Sequence, residues 1–231
     1  MKIGIIGAMD VEISLIREKM NVEKTCTFAG MEFSEGCIGS TPAVAVKSGV
    51  GKVNAAVCVQ ILIDRFNVTH IINTGVAGSL NNDINIGDIV ISTDAMYHDV
   101  DATVFGYQKG EVPQLGTVSF PADEYLIRTA SCAVRAAAPD ISVFEGRVVS
   151  GDQFISSREK KDAIRRDFDG MCTEMEGAAI AQAAFINKVP FVIIRAISDK
   201  ADESVSVSYD EFEGKAARHC AALVLEMAAK L

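Results

Sequence analysis

Only three histidines, His70, His98 and His219, occur in this chain, and they stand far apart. None has a second ligand at zinc spacing, so a metal centre is not expected and no cofactor is implied. The six cysteines, Cys26, Cys37, Cys58, Cys132, Cys172 and Cys220, form no C-x-x-C pair. Several sit in apolar stretches, where a reduced thiol behaves as a small hydrophobe. The compartment this suggests is a reducing one, the cytoplasm. Basic clusters are scarce: 31 acids face 22 bases, for a net charge of −9. The densest group is Lys160, Lys161, Arg165 and Arg166, interleaved with Glu159, Asp162 and Asp167. That pattern reads as a solvated helix face, and a nucleic-acid partner is not expected. Long apolar runs are also missing. The opening MKIGIIGAMDVE ends in acids and reads neither as a signal peptide nor as a membrane span.

With 49% hydrophobic residues in 231, the chain can bury one sizeable core. No linker, low-complexity tract or repeat divides it, so one domain spanning 1–231 is expected. A buried strand is predicted over Lys2–Gly7 and a helix over Met9–Met20. Strand-like runs follow at Thr25–Phe28, Glu32–Cys37 and Ala43–Lys47, punctuated by Gly30, Gly39 and Pro42 as in a meander. A helix is predicted over Lys52–Phe66, with Val53, Val57 and Ile61 recurring at a spacing of four. The runs His70–Thr74, Asp88–Ala95, Val143–Ser150 and Phe191–Ile197 are apolar enough for strands covered on both faces. Helices are expected at Asp123–Ala137, Ser157–Asp167, Glu176–Asn187 and Ser208–Lys230. This alternation predicts an α/β domain whose sheet is largely parallel, with an antiparallel part from the meander. The longest irregular stretch, His98 to Ala122, has the length of a functional or interface loop.

Ligands of open α/β sheets bind beyond the carboxyl ends of the strands. Four segments put glycines or acids at such ends: Gly7 to Glu12, Ser48 to Lys52, Asn73 to Gly78, and Ser198 to Asp202. Each has a plain alternative reading. Glu12 falls in a helix's first turn, where an acid suits the dipole. Ser48-Gly-Val-Gly-Lys52 resembles a phosphate cradle but lacks the P-loop spacing, and its glycines could serve close backbone approach. Asn73 to Gly78 allows the same reading. Asp199 could cap a helix, although the Ser- and Val-rich residues 204–208 start none strongly. Glu174 and Glu176 resist such readings. Two acids in one tight turn repel unless a donor or ligand sits between them. Arg195, a charge inside a strand, needs a partner.

Taken together, the segments GIIGAMDVE, KSGVGKVNAA, IINTGVAG, GDIVIS, YHDVDATVFGY, VVSGDQFI, TEMEGAAIA, VPFVIIRAISDKAD and SYDEF, in this order, cover nearly the whole chain. They resemble the nucleoside phosphorylase superfamily, and most closely its bacterial 5′-methylthioadenosine/S-adenosylhomocysteine nucleosidases. The resemblance implies a single domain with a mixed, twisted central sheet flanked by helices, and a homodimer. It implies hydrolysis of the N-glycosidic bond of methylthioadenosine, S-adenosylhomocysteine and 5′-deoxyadenosine, serving methionine salvage and removing a methyltransferase product. Asp199 is then the general acid for adenine, Glu176 holds the ribose hydroxyls, and Glu12 activates water. Arg195 and Ser198 support the acidic turn. Phe154 stacks on the purine and Ile155 offers it backbone groups. Met9 and Met175 lie under the ribose, and Val50, Ala77, Gly78 and Glu174, with Arg195 and Ser198, complete the binding set. Phe105, Tyr107 and Pro113 come from the loop 98–122, which closes the neighbouring subunit's 5′ pocket, and Tyr209 finishes its apolar wall.

The residue types suit that chemistry. Adenine leaves readily only when N7 is protonated, which asks for a carboxyl kept protonated near neutral pH in a desolvated site. Ile197 and Ala201 beside Asp199 fit this. A carboxylate near the ribose hydroxyls stabilises an oxocarbenium-like state. Phosphorylases of the superfamily hold phosphate with arginines near the first strand's end, where this chain has Asp10 and Glu12. Two carboxylates repel phosphate, so water is the expected nucleophile. Val76 replaces a hydroxyl residue common in relatives, and Ser79 follows Gly78 where a second glycine is common. Ala102 and Tyr209 could retune the 5′ preference. The competing readings are a futalosine-type hydrolase, a phosphorylase and a non-catalytic nucleoside binder.

Overall fold

A computed structural model of the chain describes residues 1–138, 140–202 and 205–231, with the side chains of residues 137 and 205–211 excepted. The first strand, β1 (Ile3–Gly7), is buried at every position. It runs parallel to both β4 (Thr41–Lys47) and β5 (His70–Ser79). The meander expected from the glycines is present: β2 (Asn21–Phe28), β3 (Met31–Ile38) and β4 pair antiparallel in sequence order. Alternate residues of these strands point to opposite faces. Ile5, Ile72 and Ile194 therefore join one apolar cluster, with Ile13 and Ile16 of α1 (Asp10–Lys19), Leu126 of α3 (Glu124–Ala137) and Val224 of α6 (Val205–Ala228). Ile6, Ile71 and Ile193 join the other, with Leu62 of α2 (Lys52–Phe66) and Ile180 of α5 (Gly177–Ile186). Helices on both faces explain why these strands are apolar throughout, since each buried Ile contributes about 1.5–3 kcal/mol.

Among the described residues ten strands form one sheet, and half of them close into a ring. β5 pairs parallel with β10 (Phe191–Asp199), and β10 pairs antiparallel with β6 (Ile89–Tyr97). β6 pairs parallel with β8 (Val143–Ser150), and β8 with the three-residue β9 (Cys172–Glu174). β9 returns to β5 at Gly78 and Ser79, completing the circuit. A short β7 (Phe120–Pro121) lies against β6. The α/β class and single mixed sheet expected from the sequence are thus present; the ring was not anticipated.

Several local expectations need correction. β5 continues past Thr74 through Gly75 and Gly78 to Ser79. α6 begins at Val205 rather than Ser208. Val53 and Val57 do not mark the core face of α2: Val53 is 75% exposed, and Ala55, Cys58, Val59, Leu62 and Phe66 are the buried set. On α4 (Arg158–Phe168), Lys160, Arg165 and Arg166 are exposed as expected, but Lys161 is turned inward. The stretch 98–122 is irregular apart from a 3₁₀ turn at Thr103–Phe105 and β7, and Lys109 ties it to Asp167 at 2.6 Å. Among the described residues no helix is long and apolar enough to cross a membrane, and no cluster of metal-binding side chains occurs.

Candidate active site

The carboxyl ends of β1, β5, β9 and β10 converge on one cavity. At the end of β1 the chain turns into α1, and Glu12 occupies the third helical position. Its side chain folds back, so that Oε2 accepts from the backbone N–H of Ala8 at 2.7 Å and of Met9 at 3.0 Å. Oε1 accepts from Val76 N–H at 3.0 Å. A carboxyl can sit there only because residue 75 is glycine; a Cβ at that position would overlap the Glu12 carboxyl. Burial raises the Glu12 pKa, while Arg195 and the three backbone donors pull the other way. Asp10, expected to act with Glu12, does not face the cavity. It is exposed and pairs with Lys47 at 2.8 Å, because two residues along a helix rotates the side chain away from the sheet.

Glu174 ends β9 and is wrapped in donors. Arg195 Nη2 donates to it at 2.5 Å, Gly177 N–H at 2.8 Å and Glu176 N–H at 3.2 Å, and the Ser150 hydroxyl also donates. These donors satisfy the Glu174 carboxyl, although its charge still bears on Glu176. Arg195 also reaches Asn73 Oδ1 at 2.5 Å, and Asn73 Nδ2 donates to Ile6 O at 3.0 Å. Burial works against the Arg195 cation, but Glu174 and Glu12 outweigh it and hold its pKa above the usual value. Arg195 therefore stands behind Glu174 and does not line the cavity, which corrects its assignment to the binding set.

Glu176 takes the N-cap position of α5, and its Oε1 accepts from Gly51 N–H at 2.7 Å. Gly51 has φ +98°, a backbone shape that favours glycine, and the 48–52 turn gives its N–H to the Glu176 carboxyl. Burial, and then the neighbouring Glu174 charge, raise the Glu176 pKa well above the carboxylate range. The same turn is tied down by Lys52, whose Nζ donates to Asp99 at 2.6 Å while Asp152 accepts from Lys52 N–H at 2.9 Å.

Asp199 ends β10 at a register shift opposite Gly78. Its Oδ1 accepts from Ala201 N–H at 2.7 Å and its Oδ2 from the Ser198 hydroxyl at 2.8 Å. Ala201 adopts φ +52°, which aims its N–H back at the carboxyl. The side chain is 2% exposed, and burial raises its pKa.

Glu12, Glu176 and Asp199 all line the one cavity. Met9, Val50, Ala77, Gly78, Phe154, Ile155, Glu174, Met175 and Ser198 line it too, as expected for the binding set. Ala8, Gln153 and Thr173, which sequence reasoning did not single out, join them, as does Val76. Each adjoins a predicted site residue, and that adjacency was the only signal. Phe105 and Pro113 are exposed and Tyr107 is half-buried; none lines this chain's cavity. The side chain of Tyr209 lies outside the described residues. A site with four carboxyl groups in a largely apolar cavity can donate a proton at one point and accept one at another.

The sequence model of the phosphorylase superfamily matches residues 2–229. A 5′-methylthioadenosine/S-adenosylhomocysteine nucleosidase from Staphylococcus carnosus is 42% identical over 97% of this chain and 98% of that protein. The chain belongs to this nucleosidase family of the phosphorylase superfamily. Among solved structures, the Neisseria meningitidis nucleosidase in complex with methylthio-immucillin-A superposes with a TM-score of 0.96 at 44% identity, covering 100% of this chain and 99% of that one. The futalosine hydrolase of Helicobacter pylori superposes with a TM-score of 0.94 at 33% identity, covering 100% and 98%.

Proposed function

We propose that this member of the family hydrolyses the N-glycosidic bond of 5′-methylthioadenosine and S-adenosylhomocysteine, and of 5′-deoxyadenosine, releasing adenine. The observation that carries this reading is the convergence of Glu12, Glu176 and Asp199 on one cavity. Asp199, whose pKa burial raises, gives its proton to N7, so adenine departs neutral. Positive charge then grows on the ribose. Glu176 accepts hydrogen bonds from the ribose hydroxyls and stabilises that charge. Glu12 takes a proton from water, which adds its oxygen to the anomeric carbon. The raised Glu12 pKa suits a base that must accept a proton near neutrality. Phe154 covers the purine, and Met9 and Met175 lie under the sugar.

The 5′ substituent meets residues that this chain's own cavity does not supply. Phe105, Tyr107 and Pro113 fit a homodimer in which loop 98–122 closes the neighbour's 5′ pocket. Val104 and Phe105, 84% and 80% exposed, and Val53 on α2 give that interface apolar surface. An apolar 5′ wall favours thioether substrates over the more polar futalosine. A place in methionine salvage in the cytoplasm follows from these substrates.

The deciding experiment is incubation with methylthioadenosine in phosphate-free buffer. Free adenine and methylthioribose are expected. Turnover that requires phosphate, with ribose 1-phosphate chemistry in the product, or no adenine at all, overturns the reading.

A further inference from the structure

Five basic residues lie on α4, and one of them, Lys161, is turned into the protein. Lys161 is 3% exposed, and it is the one buried lysine among the described residues. An enclosed ammonium is costly unless it is hydrogen-bonded and compensated by opposite charge. Its Nζ donates to the carbonyl of Lys200 at 2.7 Å. That carbonyl belongs to the residue directly after Asp199. The Lys200 side chain runs to another part of the chain, donating to the carbonyls of Ile84 at 2.5 Å and Asn82 at 3.4 Å. The turn that carries Asp199 is thus gripped twice, and Ala201 is held at φ +52° with its N–H on the carboxyl.

The other end of this arrangement reaches the purine side of the cavity. Ser157 caps α4, accepting from Lys160 N–H at 3.3 Å, and its carbonyl accepts from Lys161 N–H at 3.0 Å. Two residues before Ser157 stands Ile155 of the cavity wall. Ile155 and Ala201 share one small apolar cluster with Ile164 and Phe168 of α4. The helix therefore joins the adenine-facing segment and the acid's turn into one body, and Lys161 is the polar half of that joint. The charged groups that act on Lys161 are Asp202, Lys200, Asp162 and Arg165. Those that act on Asp199 are Asp202, which disfavours its ionised form, and Lys161, which favours it, beside the Ser198 hydroxyl and the Ala201 N–H.

We propose that Lys161 is a positioning residue for Asp199: its hydrogen bond to the Lys200 carbonyl fixes the turn, and its charge favours the ionised carboxyl. Without that charge Asp199 holds its proton too tightly and gives it up less readily to the leaving base. The proposal rests on Asp199 being the general acid only for its effect on turnover.

The test uses Lys161→Met, which keeps the stem and removes donor and charge, and Lys161→Arg, which keeps the charge. The Asp199 carboxyl is followed by carbon NMR, its signal identified by its loss in Asp199→Asn. In K161M its titration midpoint is expected to rise by about one pH unit, the size of one screened charge nearby. The kcat is expected to fall about ten-fold with KM little changed, and K161R should stay near wild type in both. If K161M does not fold, K161Q, which keeps a donor for the Lys200 carbonyl but no charge, replaces it. A midpoint unchanged from wild type in the folded neutral variant overturns the proposal. If Asp199 is not the acid, Asp199→Asn keeps turnover, and the NMR midpoint still decides the role of Lys161.

Discussion

At the residue scale the site depends on three carboxyl groups that share a chemistry and differ in surroundings. Glu12 is ringed by backbone donors and acted on by Arg195, Glu176 accepts from Gly51 N–H, and Asp199 accepts from Ala201 N–H and the Ser198 hydroxyl with Lys161 acting on it. In the proposed reading Glu12 is the base and Asp199 the acid. Asp199→Asn is expected to lower kcat by about 10²–10⁴-fold while substrate still binds, since Asn keeps the shape but carries no transferable proton. Calorimetric titration with methylthioadenosine, beside the rate, checks both halves, and near-wild-type turnover removes Asp199 as the acid. Glu12→Gln should be equally inactive and also retain binding; loss of all ligand binding would make Glu12 structural instead. The three acids were legible because each stands at a strand or helix end in a recognisable segment. Orientation was not legible. Asp10 and Glu12 look equivalent in sequence, yet one meets Lys47 in solvent and the other Val76 in the interior. Arg195 was counted in the binding set, whereas its guanidinium reaches Glu174 and Asn73 and so supports the acidic turn. Lys161 looked like its solvated neighbours, because a helix's inward face shows only when its packing partner is known.

At the scale of elements, the strands and helices with long apolar runs were readable, and those defined by pairing were not. β9 has three residues, too few to show a period, and exists because Glu174 and Thr173 find partners on β8 and β5. The glycines that suggested a loop after Thr74 instead keep β5 a strand while admitting side chains from above. Gly75 lies beside the Glu12 carboxyl, and Gly78 beside Asp199 and Ala201. Gly75→Ala is therefore a test of an element through its site. The added methyl cannot be accommodated by a distant rotamer change, because Glu12 is held by three backbone donors. Overpacking of this kind typically costs about 1–3 kcal/mol, and a carboxyl misplaced by an ångström costs about 10²-fold in rate. Denaturation midpoints and kcat measured together should show both losses. A variant with wild-type turnover would mean that Glu12 need not sit where the strand now puts it.

At the scale of the whole molecule, the ring of β5, β10, β6, β8 and β9, with β1 beside β5, brings the ends of β1, β5, β9 and β10 to one cavity, and with them three carboxyls whose pKa values are all raised. The α/β class was legible from the alternation of elements. The ring was not, since it depends on β10 pairing on both sides and on β9. Its consequence is a pH dependence of stability. A carboxyl whose pKa is higher in the folded than in the unfolded chain leaves the folded state binding more protons. Its contribution is fully present below the unfolded value and is lost as pH rises through the folded one. For Glu12, Glu176 and Asp199 that window opens at the ordinary carboxyl values of 4.5, 4.5 and 3.8 and extends upward. Within it each group lowers stability by about 1.4 kcal/mol per pH unit while it is protonated folded and ionised unfolded. The ligand-free protein should therefore be most stable on the mildly acidic side and weaken toward alkaline pH. Glu176→Gln isolates one contribution, because Gln keeps the volume and cannot ionise. It should match wild type near pH 5 and exceed it near pH 8 in chemical denaturation, giving a flatter profile. If the two profiles run parallel, the Glu176 carboxyl is as easily ionised in the fold as in the free chain, and the cavity is not the desolvated space that acid catalysis there requires.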